Sequence, residues 1–306
     1  MSEVIDLSQL PPPAVIEMPA FKDLKAQRLA ELQGLDPTFN ALLESDPAIK
    51  LLEITCYREM VSVGRTNSGV WAVMLAYAKG ADLDQLAANF DVYRLTIMPE
   101  DDTTIPPTPA VMEGDDAFRL RIRLSWYARN TAGSTQAYEY FSLSADGTVL
   151  DAKAYGPNDD SSVLPGHVEV YILSSDGSGV PSQALLDTVN GVLSGDFTRP
   201  LTDYVLVKPA TLKEYTVTAT LVIGAGPDAT TVTQAAQEAM QRYADSVHRI
   251  GVPMSLAGVY RALKQPGVTD VVLSDPTATI AVGKGEASYC TGINLGTDLP
   301  GIKEAP

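Results

Sequence analysis

The stretch VMEGDDAFRLRIRLSWYARNTAGSTQAYEYFSLSADGTVLDAKAYGPNDDSSVLPGHVEVYIL, residues 111–173, decides the fold class. Glu113, Asp115 and Asp116 stand in front of the amphipathic run FRLRIRL, and acids in a first turn complement the positive end of a helix dipole. Ala132, Gly133 and Ser134 break that helix, and Ser134 is placed to cap a second, 135–143, made bulky by Tyr138 and Tyr140. Asp146-Gly147 turns the chain into a strand at 148–155, and Pro165-Gly166 leads into another at 167–173. Helix, helix, strand, strand, with no nucleophile, base or metal ligand fixed among them, describes a packing module.

Working outward, the N-terminal side is helical. Residues 1–19 read as an extended arm: Pro11, Pro12, Pro13 and Pro19 bar a helix, and three consecutive prolines favour polyproline II. Residues 21–34 form a short helix. Asp46-Pro47 opens a longer one, because Asp at the N-cap and Pro in the first turn act together. Its apolar residues recur at Ile49, Leu52, Cys56, Met60 and Val63, then Val70, Met74 and Tyr77, and Gly80 ends it. A second row (Leu51, Ile54, Val61, Trp71, Leu75) widens the apolar surface, so this helix wants neighbours on more than one side. Gly64 and Gly69 mark a place for a kink. Asp82 then caps a short helix to Phe90. Residues 96–110 read as a proline-rich linker, with Pro99, Pro106, Pro107 and Pro109 as a hinge; the alternative is a segment packed rigidly on the αβ part.

On the C-terminal side, a helix runs to Leu193 and a strand spans 203–208. Tyr215, Val217, Ala219, Leu221 and Ile223 then alternate with Thr216, Thr218 and Thr220, a period of two that gives one buried and one wet face, the habit of an antiparallel sheet. A long helix covers 228–248, and Ser255 caps another to Leu263. The fold class is therefore α+β multidomain: a long-helix region at 20–95, then mixed αβ domains with antiparallel sheet. The expected domains after the linker are a helix–helix–strand module at 111–165, a βαββα domain at 166–250 resembling a split βαβ sandwich, and a helix–strand module at 251–306. One internal echo stands out: 134–157 and 255–276 each run serine cap, helix, glycine turn, short strand, proline. It is either a reused interaction module or a common helix–strand turn.

Composition excludes several functions. An apolar fraction of 45% in 306 residues fills real cores, and a net charge of −16 opposes nucleic acid or an anionic membrane as partner. No run approaches a membrane span. Cys56 and Cys290 lack metal-like spacing and read as reduced thiols, which fits a cytoplasm. Glu100, Asp101 and Asp102 lack the alternation and glycine of a calcium loop. His167 and His248 have no triad partners at local spacing, and Arg119, Arg121 and Arg123 are expected to pair with carboxylates across an interface. The rival to a structural role is a flavin- or nicotinamide-dependent enzyme using the turn 224–226, LVIGAGP, after a strand and before a helix. Against it stand the alternating strand, the helix that comes after a helix, and Asp228 beside the turn. A third class is a solitary soluble binding domain. No catalytic, cofactor-binding or metal-binding residue is assigned.

The acid-rich entry, FRLRI, AGS before an aromatic helix, DGTV and PGHVEVYIL resemble the baseplate J family, wedge proteins of contractile phage tails and R-type pyocins. IDLSQLPPP, LLEITCYRE, LTIMPEDDTTIPPTPAVME and SYCT extend the resemblance over most of the chain. It implies a non-enzymatic structural protein without cofactor, set in the baseplate of a phage tail or pyocin and assembled in the host bacterial cytoplasm. Implied partners are other baseplate wedge proteins, further copies of the chain and the central spike hub. The N-terminal helices, through Ile49, Leu52, Cys56, Met60, Val63, Val70 and Met74, would join a core bundle. The αβ part, through Ser255, Tyr260, Val268 and Val271, would hold neighbouring wedges in a ring.

Overall fold

The structure, a computed structural model, describes residues 7, 10–11, 13, 17–39, 43–129, 133–195, 198–224 and 228–298. Most of the expected N-terminal arm and the centre of the 224–226 turn lie outside these. The fold is α+β and divides into two compact units, residues 1–93 with 114–119, and residues 94–113 with 120–306.

In the first unit, α1 (Phe21–Leu35) and α2 (Pro47–Ala72) form a helical hairpin. Its antiparallel sense follows from three pairs: Met18 lies at Gly64, Phe21 stacks on Tyr57 with ring centroids 4.6 Å apart, and Lys25 reaches Glu53 at 2.9 Å. The Asp46 carboxylate accepts from the Ala48 amide at 2.8 Å, and Pro47 sits where a missing N–H costs nothing. Helix α2 runs through Gly64 and Gly69 without a break. It stops at Ala72, short of Gly80: Val73 and Met74 donate three residues back, to Val70 and Trp71, and the ladder tightens into turns. The Arg119 guanidinium takes two carbonyls past this end, Leu75 and Ala78, each at 2.8 Å. Helix α3 (Gly80–Ala88) starts earlier than expected. Asp82 lies in its first turn, and the Gly80 amide is accepted by the distant Asp115 carboxylate at 3.1 Å.

In the second unit, residues 96–110 are not an unstructured linker. Strands β1 (Thr96–Met98) and β2 (Val111–Met112) pair antiparallel, and Asp101 and Thr108 exchange backbone bonds of 2.9 and 3.0 Å between them. Prolines remove donors but leave enough paired residues at the base and middle to close a hairpin. Helix α4 (Asp115–Ala128) comes next, with Asp115 and Asp116 in its first turn; the division between the units falls within it, after Arg119. Helix α5 (Thr135–Ala145) is capped by Ser134, which accepts from Ala137 at 3.3 Å. Gly133 ahead of it has φ +67°, and an added Cβ would meet Pro200 at 2.7 Å, so only glycine fits that break.

Strands β3 (Val149–Tyr155) and β4 (His167–Ser174), helix α6 (Gln183–Leu193) and strand β5 (Tyr204–Pro209) complete one layer pair, with sheet order β3-β4-β5. Strand β6 (Thr211–Ile223), helices α7 (Ala229–Val247) and α8 (Leu256–Leu263), and strands β7 (Val268–Asp275) and β8 (Glu286–Asp298) form the second, in order β7-β6-β8. The domains expected at 111–165, 166–250 and 251–306 are therefore regrouped. Strand β6 leaves the 166–250 set because its pairing partners lie later in the chain, and β8 has no counterpart among the expected elements. Both sheets are mixed: the central strand (β4, β6) runs antiparallel to one edge (β3, β7) and parallel to the other (β5, β8). The internal echo thus occupies equivalent places, since α5–β3 and α8–β7 are each a serine-capped helix feeding the antiparallel edge.

The alternation along β6 does what its period implies. Tyr215, Val217, Ala219, Leu221 and Ile223 are buried with Val232, Ala236, Met240, Ala244 and Val247 of α7 and with Val259 and Leu263 of α8. A smaller cluster, Leu173, Ala210, Ile250 and Ala287, joins the two sheets. Cys56 is buried, Cys290 partly so, and both are free thiols.

Candidate functional site

The expected sites are surfaces, and their geometry depends on which side chains the fold uses up. On α2 the row named for partners is largely turned inward: Ile49 and Cys56 are buried, and Leu52, Met60, Val63, Val70 and Met74 are partly covered. Over the first half of α2 the hairpin with α1 supplies cover, as Lys25 at Glu53 and Phe21 at Tyr57 show. The second row is the open one. Leu51, Ile54 and Val61 are 64%, 54% and 50% exposed, and three-to-seven-residue spacing puts them on one face. Around it the hairpin is pinned by charge: Lys25 bridges Glu44 and Glu53, and Arg28 bridges Glu31 and Glu59.

In the αβ part, Val268 and Val271 are core, and the Ser255 hydroxyl is spent on the Gly258 amide at 3.1 Å. Only Tyr260 of that set is well exposed. The four hinge prolines lie in the hairpin, whose base is anchored. The Arg94 guanidinium donates to the Glu113 carbonyl at 2.6 Å, and Ile97 lies so close to Gly147 that a Cβ there would meet it at 3.2 Å. Of the three arginines expected to face an interface, Arg119 pairs with Asp116 at 2.7 Å and Arg121 with Glu113, both within the chain.

Where the two sheets meet, a polar seam forms that no local motif announces. The Glu169 carboxylate accepts from Lys208 at 2.7 Å, Lys284 at 2.8 Å and Tyr171 at 3.1 Å. Burial alone would raise its pKa, but these three donors hold it at about 2. The Asp151 carboxylate accepts from the Ile250 amide at 2.8 Å, and there enclosure wins and pushes the carboxyl up. Apart from Tyr171, these partners are far apart in sequence, which is why spacing could not reveal them.

The Gly224 amide donates to the Gly267 carbonyl at 3.1 Å, and the Asp228 carboxylate occupies the start of α7, accepting from Thr231 at 2.9 Å. After α7 comes α8 and then the antiparallel β7, not a parallel strand. Among the described residues, no three His, Cys, Asp or Glu side chains cluster as metal ligands, and no helix is long and apolar enough to cross a membrane.

Models of three consecutive domains match the chain: the Baseplate J-like N-terminal domain over residues 44–101, the Baseplate J-like central domain over 130–209 and the Baseplate J-like protein C-terminal domain over 215–296. The last two spans separate the same two sheets. Baseplate protein J of Escherichia phage P2 is 41% identical over 295 residues, 94% of this chain and 96% of that protein. A chain in the cryo-EM structure of the anti-feeding prophage baseplate, 6-fold symmetrised, is similar at TM-score 0.41 and 17% identity. That match covers 60% of this chain and 44% of the other, less than half its length.

Proposed function

The chain belongs to the Baseplate J-like family, and from that premise we propose that it is a structural component of a contractile-tail baseplate wedge. It joins other wedge proteins through its N-terminal helices and neighbouring wedges through its αβ part, in a ring around the central spike hub. It does no chemistry, takes no cofactor, and assembles in the host bacterial cytoplasm.

The observation that supports the finer reading is the exposed row Leu51, Ile54 and Val61 on a helix whose opposite face is already filled. Covering the half of each side chain still exposed is worth roughly 1–1.5 kcal/mol, enough together to favour helical partners in a bundle. On contraction the two units move as whole bodies, since packed cores rearrange by rigid-body motion and do not stretch. The hairpin at 96–110 travels with the second unit. Co-purification of the tagged full chain with the other baseplate proteins of its particle tests the reading. Retention of those partners is expected, and a chain recovered alone from assembling cells contradicts it.

A further inference from the structure

We infer that Trp71 and Tyr77 form a recognition site for a polyproline II segment, kept filled by the chain's own proline run at 11–13 as an exchangeable latch. This goes beyond the proposed function and does not depend on it.

The site exists because α2 ends early. Past Ala72 the chain makes bonds three residues back: the Met74 amide donates to the Trp71 carbonyl at 3.0 Å, and the Tyr77 amide to the Met74 carbonyl at 2.9 Å. At three residues per turn, side chains three or six apart eclipse, whereas six residues of α-helix would turn Tyr77 about 240° away from Trp71. The tightened turns bring the two rings together, with centroids 6.4 Å apart. The Arg119 guanidinium fixes these turns by donating to the Leu75 and Ala78 carbonyls, each at 2.8 Å.

Each ring gives a donor to the arm. The Trp71 Nε1 donates to the Pro13 carbonyl at 3.3 Å, and the Tyr77 hydroxyl donates to the Leu10 carbonyl. Carbonyls three residues apart lie on one face of a polyproline II helix, which has three residues per turn and rises about 3.1 Å per residue. A proline run offers carbonyls and no N–H, so an indole N–H and a phenol O–H match it. Its fixed φ means that little freedom is lost on binding, which is how aromatic grooves take proline-rich segments.

The latch continues the line of α1 along α2. Phe21 stacks on Tyr57, Met18 lies at Gly64 and Pro13 meets Trp71, and steps of seven residues put Tyr57, Gly64 and Trp71 on one stripe. Helix α1 covers the early part of that stripe, and the latch covers the part beyond its reach. Leu10, Pro11 and Pro13 stay exposed, and both clamp bonds lie at the surface. Bonds in contact with water hold weakly, so the latch is kept in place by its tether, which supplies a roughly millimolar local concentration.

The test uses the full chain with Trp126→Phe, which leaves Trp71 as its one tryptophan. Replacing Pro11, Pro12 and Pro13 by glycine should shift the Trp71 emission to the red and raise its quenching by acrylamide, with circular dichroism unchanged. Adding the peptide SQLPPPAV at roughly millimolar concentration should reverse both changes, and SQLGGGAV should not. Tyr77→Phe in the glycine variant should bind SQLPPPAV about fivefold more weakly, because the ring stays and one donor is lost. Trp71 emission that is the same with and without the prolines, a glycine variant that does not respond to SQLPPPAV, equal binding of the two peptides, or undiminished binding after Tyr77→Phe overturns the inference.

Discussion

Arg121 and Glu113 form a buried, two-pronged ion pair, Nε to Oε1 at 2.8 Å and a terminal nitrogen to Oε2 at 2.7 Å, with side chains 4% and 7% exposed. The same carboxylate accepts from the Leu95 amide at 3.2 Å, so one pair ties the base of the hairpin to α4. Taking both charges from water is costly, and the geometry offsets that only while both partners are present. Arg121→Ala should lower unfolding stability by about 3–5 kcal/mol in urea titration. Replacing both at once, Arg121→Met with Glu113→Leu, should cost much less than that. A single variant within error of the native chain would show the pair to be idle.

The two faces of α2 should respond differently to charge. Leu51→Asp with Ile54→Asp should leave the helical content and melting midpoint near native but abolish co-purification with wedge partners. Cys56→Asp should unfold the hairpin, because it buries an unpaired carboxylate at a fully enclosed site. If the Leu51 and Ile54 double variant still retains its partners, the exposed row is not the bundle face.

How far these surfaces are legible in the sequence differs by kind of signal. Local signals agree with the structure: Asp46-Pro47, Ser134 and Ser255 cap their helices, and the alternation on β6 names its buried face. Non-local ones do not. Which row of α2 stays open depends on where α1 lies, and both rows are apolar. Strand β8, EASYCTGINLGTD, is hard to read because Gly292, Gly296 and its hydroxyl residues blur any period of two. Its strand geometry comes from the thirteen residues of β6 beside it. The hairpin at 96–110 is hidden by its prolines, since its two strands are only three and two residues long.

The seam between the sheets should weaken in acid. Glu169 titrates at about 2 in the folded chain against an ordinary 4.5. A depressed carboxyl contributes stability above its unfolded value and loses it as pH falls through the folded one. Glu169→Gln should therefore be least stable relative to the native chain near pH 7, with the difference shrinking between pH 4.5 and 2. Asp151 has the opposite sign. Its raised carboxyl favours folding most when protonated, so Asp151→Asn should gain relative stability as pH rises. Thermal melts across pH check both, and a pH-independent difference for Glu169→Gln would contradict the assigned donors.

Contraction should leave the hairpin where it is. Superposing residues 133–298 of the particle before and after contraction should bring residues 94–113 into register as well, because Arg121, Arg94 and Gly147 hold the base. Displacement of the hairpin against that frame would make Pro99, Pro106, Pro107 and Pro109 a hinge after all.

The most direct measurement is cryo-electron microscopy of tail particles assembled with and without this chain. With it, density at the baseplate should accommodate the α1–α2 hairpin beside helices of other wedge proteins and the two mixed sheets between neighbouring wedges. Without it, tails should lack a closed baseplate ring. Complete baseplates assembled in its absence, or density for the chain only elsewhere on the tail, would contradict the assignment.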